Sequence, residues 1–145
     1  MSFPSKEDIF AILESLPSIR GASSDDIRRV ELELGVTFPV PYRRYLVAAG
    51  EIGPARSELF ELGRLSEKRK EWLASAEEDG VLIPQRDNAI FFDETDMFSS
   101  YFFIADGSDD PTVFAYNYYN GDETPDAQTR LSDFLALRLK DSLGI

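Results

Sequence analysis

Two prolines and a glycine bracket one short stretch of this 145-residue chain, Val36-Thr-Phe-Pro-Val-Pro-Tyr-Arg-Arg-Tyr-Leu-Val-Ala-Ala-Gly50, and they limit what its neighbours can do. Pro39 and Pro41 end whatever precedes them and fix φ near the helical value, so a helix starts within a residue or two. Tyr42, Tyr45, Leu46 and Ala49 then recur at helical spacing and form one apolar stripe. Gly50 supplies the residue type that a left-handed C-terminal cap needs. The expected product is a short helix wedged between two other segments. It is a packing element and carries no chemistry by itself.

The flanking segments read in the same terms. Ser5-Lys-Glu-Asp8 resembles a capping box, and Ile9, Phe10, Ile12, Leu13 and Leu16 follow at helical spacing toward Pro17. Ser23-Ser-Asp-Asp26 offers a second N-cap, with Ile27, Val30 and Leu34 on one face and Gly35 closing the helix. Beyond the central helix, Leu59, Phe60, Leu62 and Leu65 form an apolar run that reads as a strand without a clear period. Ser66 to Asp79 reads as a fourth helix, capped at Ser66, stopped at Gly80 and mostly exposed because its charges alternate.

After Gly80 the runs become short, aromatic and β-branched: Val81–Ile83, Ala89–Phe92, Tyr101–Ile104 and Thr112–Tyr119. Turn signals separate them at Pro84, at Asp87-Asn88, from Asp106 to Pro111 and at Asn120-Gly-Asp122. Leu131, Phe134, Leu135, Leu137, Leu139 and Leu143 then predict a C-terminal helix begun around Ser132-Asp133. The expected fold class is α+β, with N-terminal helices and a C-terminal helix packed on a mainly antiparallel sheet of about four to six strands. Residues 1–145 are expected to form a single domain.

Composition excludes several chemistries. The chain has no cysteine and no histidine, which removes thiolate metal sites, cysteine nucleophiles and the commonest general base. No apolar run approaches a membrane span and no secretory leader is visible, so a cytoplasmic protein without a membrane partner is expected. The formal charge of −12 is concentrated in one segment. Residues 87–129 hold ten of the 27 acidic side chains and none of the 15 basic ones. Nucleic acid is therefore not an expected partner, because phosphate contacts need Lys and Arg. The acidic segment either steers a basic partner or is a solvated surface that keeps the protein soluble.

The acidic runs Asp93-Glu-Thr-Asp96 and Asp106-Gly-Ser-Asp-Asp110 carry oxygen ligands of the kind Ca²⁺ and Mg²⁺ take, but neither follows EF-hand spacing. Turn chemistry accounts for both, and no metal or other cofactor is expected. Paired carboxylates can hydrolyse glycosides when one is raised in pKa, yet acids in turns keep ordinary values. No phosphate loop or nucleophile motif is present, so no catalytic residue is assigned and no enzyme is expected. Arg43-Arg44 and Lys68-Arg69-Lys70 read as solvated helix surface. Tyr116 to Asn120 carries more rings than one edge can bury, so Tyr118 and Tyr119 beside the acidic turns fit either a recognition patch or core packing.

A resemblance joins these pieces. Ser24-Asp-Asp-Ile-Arg-Arg-Val-Glu-Leu-Glu-Leu-Gly35, Phe38-Pro39, Tyr42-Arg-Arg-Tyr-Leu46 and Gly50 resemble the SMI1/KNR4 family, also called the SUKH superfamily. Phe103-Ile-Ala-Asp-Gly-Ser-Asp-Asp110 is similar to its strand and Asp/Gly turn, and Leu131-Ser-Asp-Phe-Leu135 to its closing helix. Ala49-Gly-Glu-Ile-Gly53 departs from the family's Asn-Gly-Gly, and residues 66–79 match it poorly. The resemblance implies an α+β domain without catalytic residues. It also implies an immunity protein that binds and neutralises a bacterial toxin domain, or alternatively a regulatory scaffold for an endogenous protein. A basic, nuclease-type toxin suits the acidic segment. The expected partner-facing residues are Asp93, Glu94, Asp96, Asp106, Asp109, Asp110, Tyr118, Tyr119, Asp122 and Glu123.

Overall fold

The computed structural model describes residues 4–95, 99–117 and 125–145. Five helices and four strands follow one another as α1 (Lys6–Ser15), α2 (Ser24–Leu34), α3 (Val40–Ala49), α4 (Leu65–Asp79), β1 (Ala89–Thr95), β2 (Ser99–Ile104), β3 (Thr112–Asn117), β4 (Asp126–Arg130) and α5 (Leu131–Leu143). Local chemistry sets the helix ends. The Ser5 hydroxyl accepts from the Asp8 amide while the Asp8 carboxylate accepts from the Ser5 amide, both at 3.1 Å, which completes the capping box of α1. The Ser23 hydroxyl accepts from the Asp26 amide to cap α2, and Gly35 ends it at φ 71°.

The sheet is an antiparallel meander in the order β1-β2-β3-β4. Two apolar clusters sandwich it. On one face Ile90, Phe92, Phe103 and Val113 meet Ile9, Phe10 and Leu13 of α1, Tyr42, Tyr45 and Leu46 of α3, and Leu131, Phe134, Leu135 and Leu139 of α5. Tyr42 sits among the rings of Phe38, Phe92 and Phe103, at centroid distances of 5.2, 5.8 and 5.2 Å. On the other face Ala89, Phe91, Phe102, Ile104 and Tyr116 meet Trp72, Leu73 and Ala76 of α4. The run Ala89–Phe92 is continuously apolar because both faces of β1 are covered.

Several expectations change. Helix α4 is not mostly exposed: its small apolar face closes the second side of the sheet, with Trp72 edge-on to Tyr116 at 5.5 Å. It starts at Leu65 with no side-chain cap, and the Ser66 hydroxyl instead donates to Glu33 at 2.6 Å. Residues 81–83 form no strand, and Val81 and Ile83 pack against the α4 cluster from a loop. The apolar run from Leu59 to Leu65 makes one bridge, Leu59 to Asp93, then turns as a 3₁₀ helix at Leu62–Arg64. Strand β4, absent from the sequence reading, is polar and lies at the sheet edge. Gly50 is right-handed, at φ −70°. Glycine stands there because a Cβ would lie 2.6 Å from the Leu46 carbonyl oxygen.

Gly21 is under a stronger constraint of the same kind. The loop between α1 and α2 runs against the end of α3, where the Ala22 amide donates to the Leu46 carbonyl and Arg20 pairs backbone to backbone with Ile52. A Cβ on Gly21 would stand 1.7 Å from the Val47 carbonyl oxygen, so any side chain must displace backbone. Gly21→Ala is therefore expected to cost about 3 kcal/mol, the upper end of overpacking penalties. Gly63→Ala, where nothing lies within 4 Å, is expected to be near neutral. Urea unfolding of both variants checks the contrast.

Candidate functional site

The strand register separates the predicted partner-facing residues. Ala89, Ile104, Thr112 and Arg130 mark one end of the sheet, and Thr95, Ser99, Asn117 and Asp126 the other. Asp106, Asp109 and Asp110 occupy the β2–β3 loop at the first end. Asp93 and Glu94 lie toward the second end, near where the chain leaves β3. A six-residue strand separates the two ends by about 20 Å. Asp96, Tyr118, Tyr119, Asp122 and Glu123 lie outside the described residues.

Of the predicted partner-facing acids that lie among the described residues, only Asp106 and Asp109 are exposed. Asp106 accepts from the Ser108 amide at 3.0 Å in a local turn, and neither acid has an ion-pair partner among the described residues. Asp110 instead holds the start of α5, accepting from the Ser132 amide at 2.8 Å and the Ser132 hydroxyl at 2.7 Å. Among the described residues no three carboxylates cluster closely enough to hold a metal ion, and no helix is long and apolar enough to cross a membrane.

Asp93 and Glu94 belong to β1, where the sequence reads as a turn. A β-bulge explains their orientations. Phe91 pairs with Phe102 and Asp93 with Tyr101, so Phe92 is an extra residue and Asp93 falls on the same face as Phe92. Glu94 is thereby aimed at α4, where its carboxylate accepts from Trp72 Nε1 at 2.9 Å and pairs with Lys68 at 3.1 Å. Asp93 is 0% exposed. Arg138 Nε of α5 stands 2.9 Å from Asp93 Oδ2, but it approaches off the N–H axis, so the pair is ionic without an aligned hydrogen bond. Burial pushes the Asp93 carboxyl up to about 7, against the attraction of Arg138 and with Glu58 adding to the rise. Burial likewise raises the Tyr42 and Tyr45 hydroxyls, with Asp93 contributing to both, and the Tyr42 hydroxyl has no hydrogen-bond partner among the described residues.

The basic clusters are structural more than solvated. Arg69 donates to the carbonyls of Ala89, Arg86 and Asp87 at 2.8–2.9 Å and ties α4 to the turn before β1. Lys68 packs over Phe60 as well as pairing with Glu94. Arg44 holds Glu7 of α1 at 2.8 Å. Arg43 pairs at 2.6 Å with Glu31, whose same oxygen accepts the Phe38 amide at 2.7 Å. Glu31 lies four residues after Ile27 and so on the apolar stripe of α2; a charge in that register is the signal that points to it. Beside Arg138 a groove of about 460 Å³ runs between β4 and α5, lined by Tyr101, Gln128, Thr129, Leu137 and Asp141.

A meander sandwiched between helices, in which the buried charges among the described residues hold elements together, defines a small α+β fold. The SMI1 / KNR4 family (SUKH-1) matches residues 21–137, and the chain belongs to that family. No curated protein matches the chain.

The buried carboxylate gives a pH dependence with a definite sign. Its folded value lies above the ordinary 3.8, so the folded chain keeps a proton that the unfolded chain releases between about pH 4 and pH 7. Stability from this group is therefore highest below that window and falls as pH rises through it. Wild type is expected to lose on the order of 2 kcal/mol relative to Asp93→Asn between pH 5 and pH 8. Urea unfolding of both proteins at several pH values checks this; parallel pH curves contradict it.

Proposed function

We propose that this chain is a non-catalytic immunity protein that binds and neutralises a basic, nuclease-type toxin domain. The observation that carries the reading is membership of the SMI1 / KNR4 family over most of the chain. Charge supports the choice of partner. A nuclease must hold phosphates and is commonly basic, and residues 87–129 present ten acids and no base. Long-range attraction from such a segment raises association rates with a basic partner.

Asp106 and Asp109 are the described acids free to act in this way, since Asp93, Glu94 and Asp110 are engaged within the fold. The rest of the proposed surface is Asp96, Tyr118, Tyr119, Asp122 and Glu123.

The test is capture with tagged protein from a lysate of the source cells at low and high salt, followed by co-expression of each captured protein with and without this chain. The expected outcome is a basic nuclease-type domain retained at low salt, whose toxicity the chain suppresses. Capture of a non-toxic endogenous protein instead supports a scaffold. With the cognate domain in hand, Asp106→Asn with Asp109→Asn is expected to slow association several-fold and flatten its salt dependence in stopped-flow measurements. Unchanged kinetics remove the β2–β3 loop from the interface.

A further inference from the structure

Arg138 stands between two carboxylates of different kinds. Inward, at 2.9 Å, is the fully buried Asp93. Outward, one helical turn along α5, is the exposed Asp141, which lines the same groove as Arg138 and has no ion-pair partner among the described residues. The guanidinium lies over two rings, 4.9 Å from the centroid of Tyr101 and 5.1 Å from that of Phe134. Its side chain is 29% exposed, so it reaches both the interior and the groove.

Few interactions hold it inward. The approach to Asp93 is not an aligned hydrogen bond, and the further contact from Nη2 to Thr95 Oγ1 is long, at 3.5 Å. The ionised Asp93 is the main attraction, and ring stacking permits the guanidinium to slide without losing its cation–π contacts. The other groups that face Asp93 are Tyr42 and Tyr45 from α3, Glu58 from the segment before the 3₁₀ turn, the backbone of Glu94 from its own strand and Tyr101 from β2, the Glu94 carboxylate being turned to α4. Both α3 hydroxyls stay neutral across the physiological range. Glu58 repels a charged Asp93. Among the described residues no second cation lies within ion-pair distance to replace Arg138.

We propose that Asp93 and Arg138 form a proton-operated latch on α5: when Asp93 takes up a proton, the guanidinium turns outward between the rings and pairs with Asp141 in the groove. The proton comes from solvent and stays on the carboxyl, and no other group changes charge. In the latched state Asp141 presents an uncompensated negative charge to the groove. In the released state the groove carries a neutral surface pair, and α5 loses its ionic tie to β1. The latch does not depend on what partner the chain binds. Its working range is near neutrality, because burial holds the Asp93 carboxyl well above the usual carboxylate range.

The experiment is an NMR titration of the whole ¹⁵N,¹³C-labelled chain between pH 5 and pH 8.5, following the Asp93 side-chain carbonyl carbon and the Arg138 Nε–H pair. Wild type alone suffices, so the result does not hinge on whether Asp93→Asn folds. The expected result is a shared midpoint near neutrality for both signals. In the surface variant Asp141→Asn the Arg138 signal is expected to lose its low-pH position while Asp93 still titrates. A flat Asp93 signal overturns the proposal. So does an Asp93 titration that leaves Arg138 Nε unmoved, and so does an Arg138 low-pH shift that survives unchanged in Asp141→Asn.

Discussion

Strand β1 is buried on both faces, and most of the architecture follows from that requirement. A five-residue run from Ala89 to Asp93 with no solvent-facing position needs helices above and below it. The larger face draws α1, α3 and α5 together around Tyr42, Phe92 and Phe134. The smaller face needs only Trp72, Leu73 and Ala76, which α4 supplies, while its first residue, Leu65, is buried in the larger cluster. The bulge at Phe92 then sets which of the two acids that follow faces which helix. One extra residue in a strand decides that Asp93 meets α5 and that Glu94 meets α4.

The same arrangement divides the acids of this chain by function in the fold. Asp110 fastens the entry to α5, Glu94 anchors Trp72 and Lys68, and Glu31 joins α2 to the start of α3. These carboxylates are matched by donors and lend little to the outward field. Asp106 and Asp109, which have no ion-pair partner among the described residues, stand on a loop between two paired strands with their side chains exposed. A charge at such a place keeps its direction, which is what steering an approaching protein requires.

Much of this architecture is legible in the sequence wherever the signal is local. The caps at Ser5, Ser23 and Gly35, the stripe of Tyr42, Tyr45 and Leu46, and the cores of β1, β2 and β3 all follow from spacing within a dozen residues. What was missed depends on distant partners. Asp93-Glu-Thr-Asp96 reads as a turn because its residues favour turns; Arg138, Trp72 and a bulge make most of it strand. Strand β4, Asp-Ala-Gln-Thr-Arg, has no apolar alternation, and pairing with β3 alone makes it a strand. The burial of α4 rests on four apolar residues among fifteen, Leu65, Trp72, Leu73 and Ala76, too few to signal a covered face on their own. Among the described residues of the predicted partner surface, only Asp106 and Asp109 have the exposure expected of them.

Helix α1 lies outside the residues shared with the family, and so does the chain from Arg138 onward. Yet Ile9, Phe10 and Leu13 sit in the main core with Leu139, while Lys6 bridges to Asp133 at 2.7 Å and Glu7 to Arg44 at 2.8 Å. Helix α1 thus touches the matched middle, and Leu139 belongs to the same core. The residues that the family model matches are therefore not the whole of the core, which Ile9, Phe10, Leu13 and Leu139 complete. Grafting the shared part alone onto another protein would transplant a core with one wall missing.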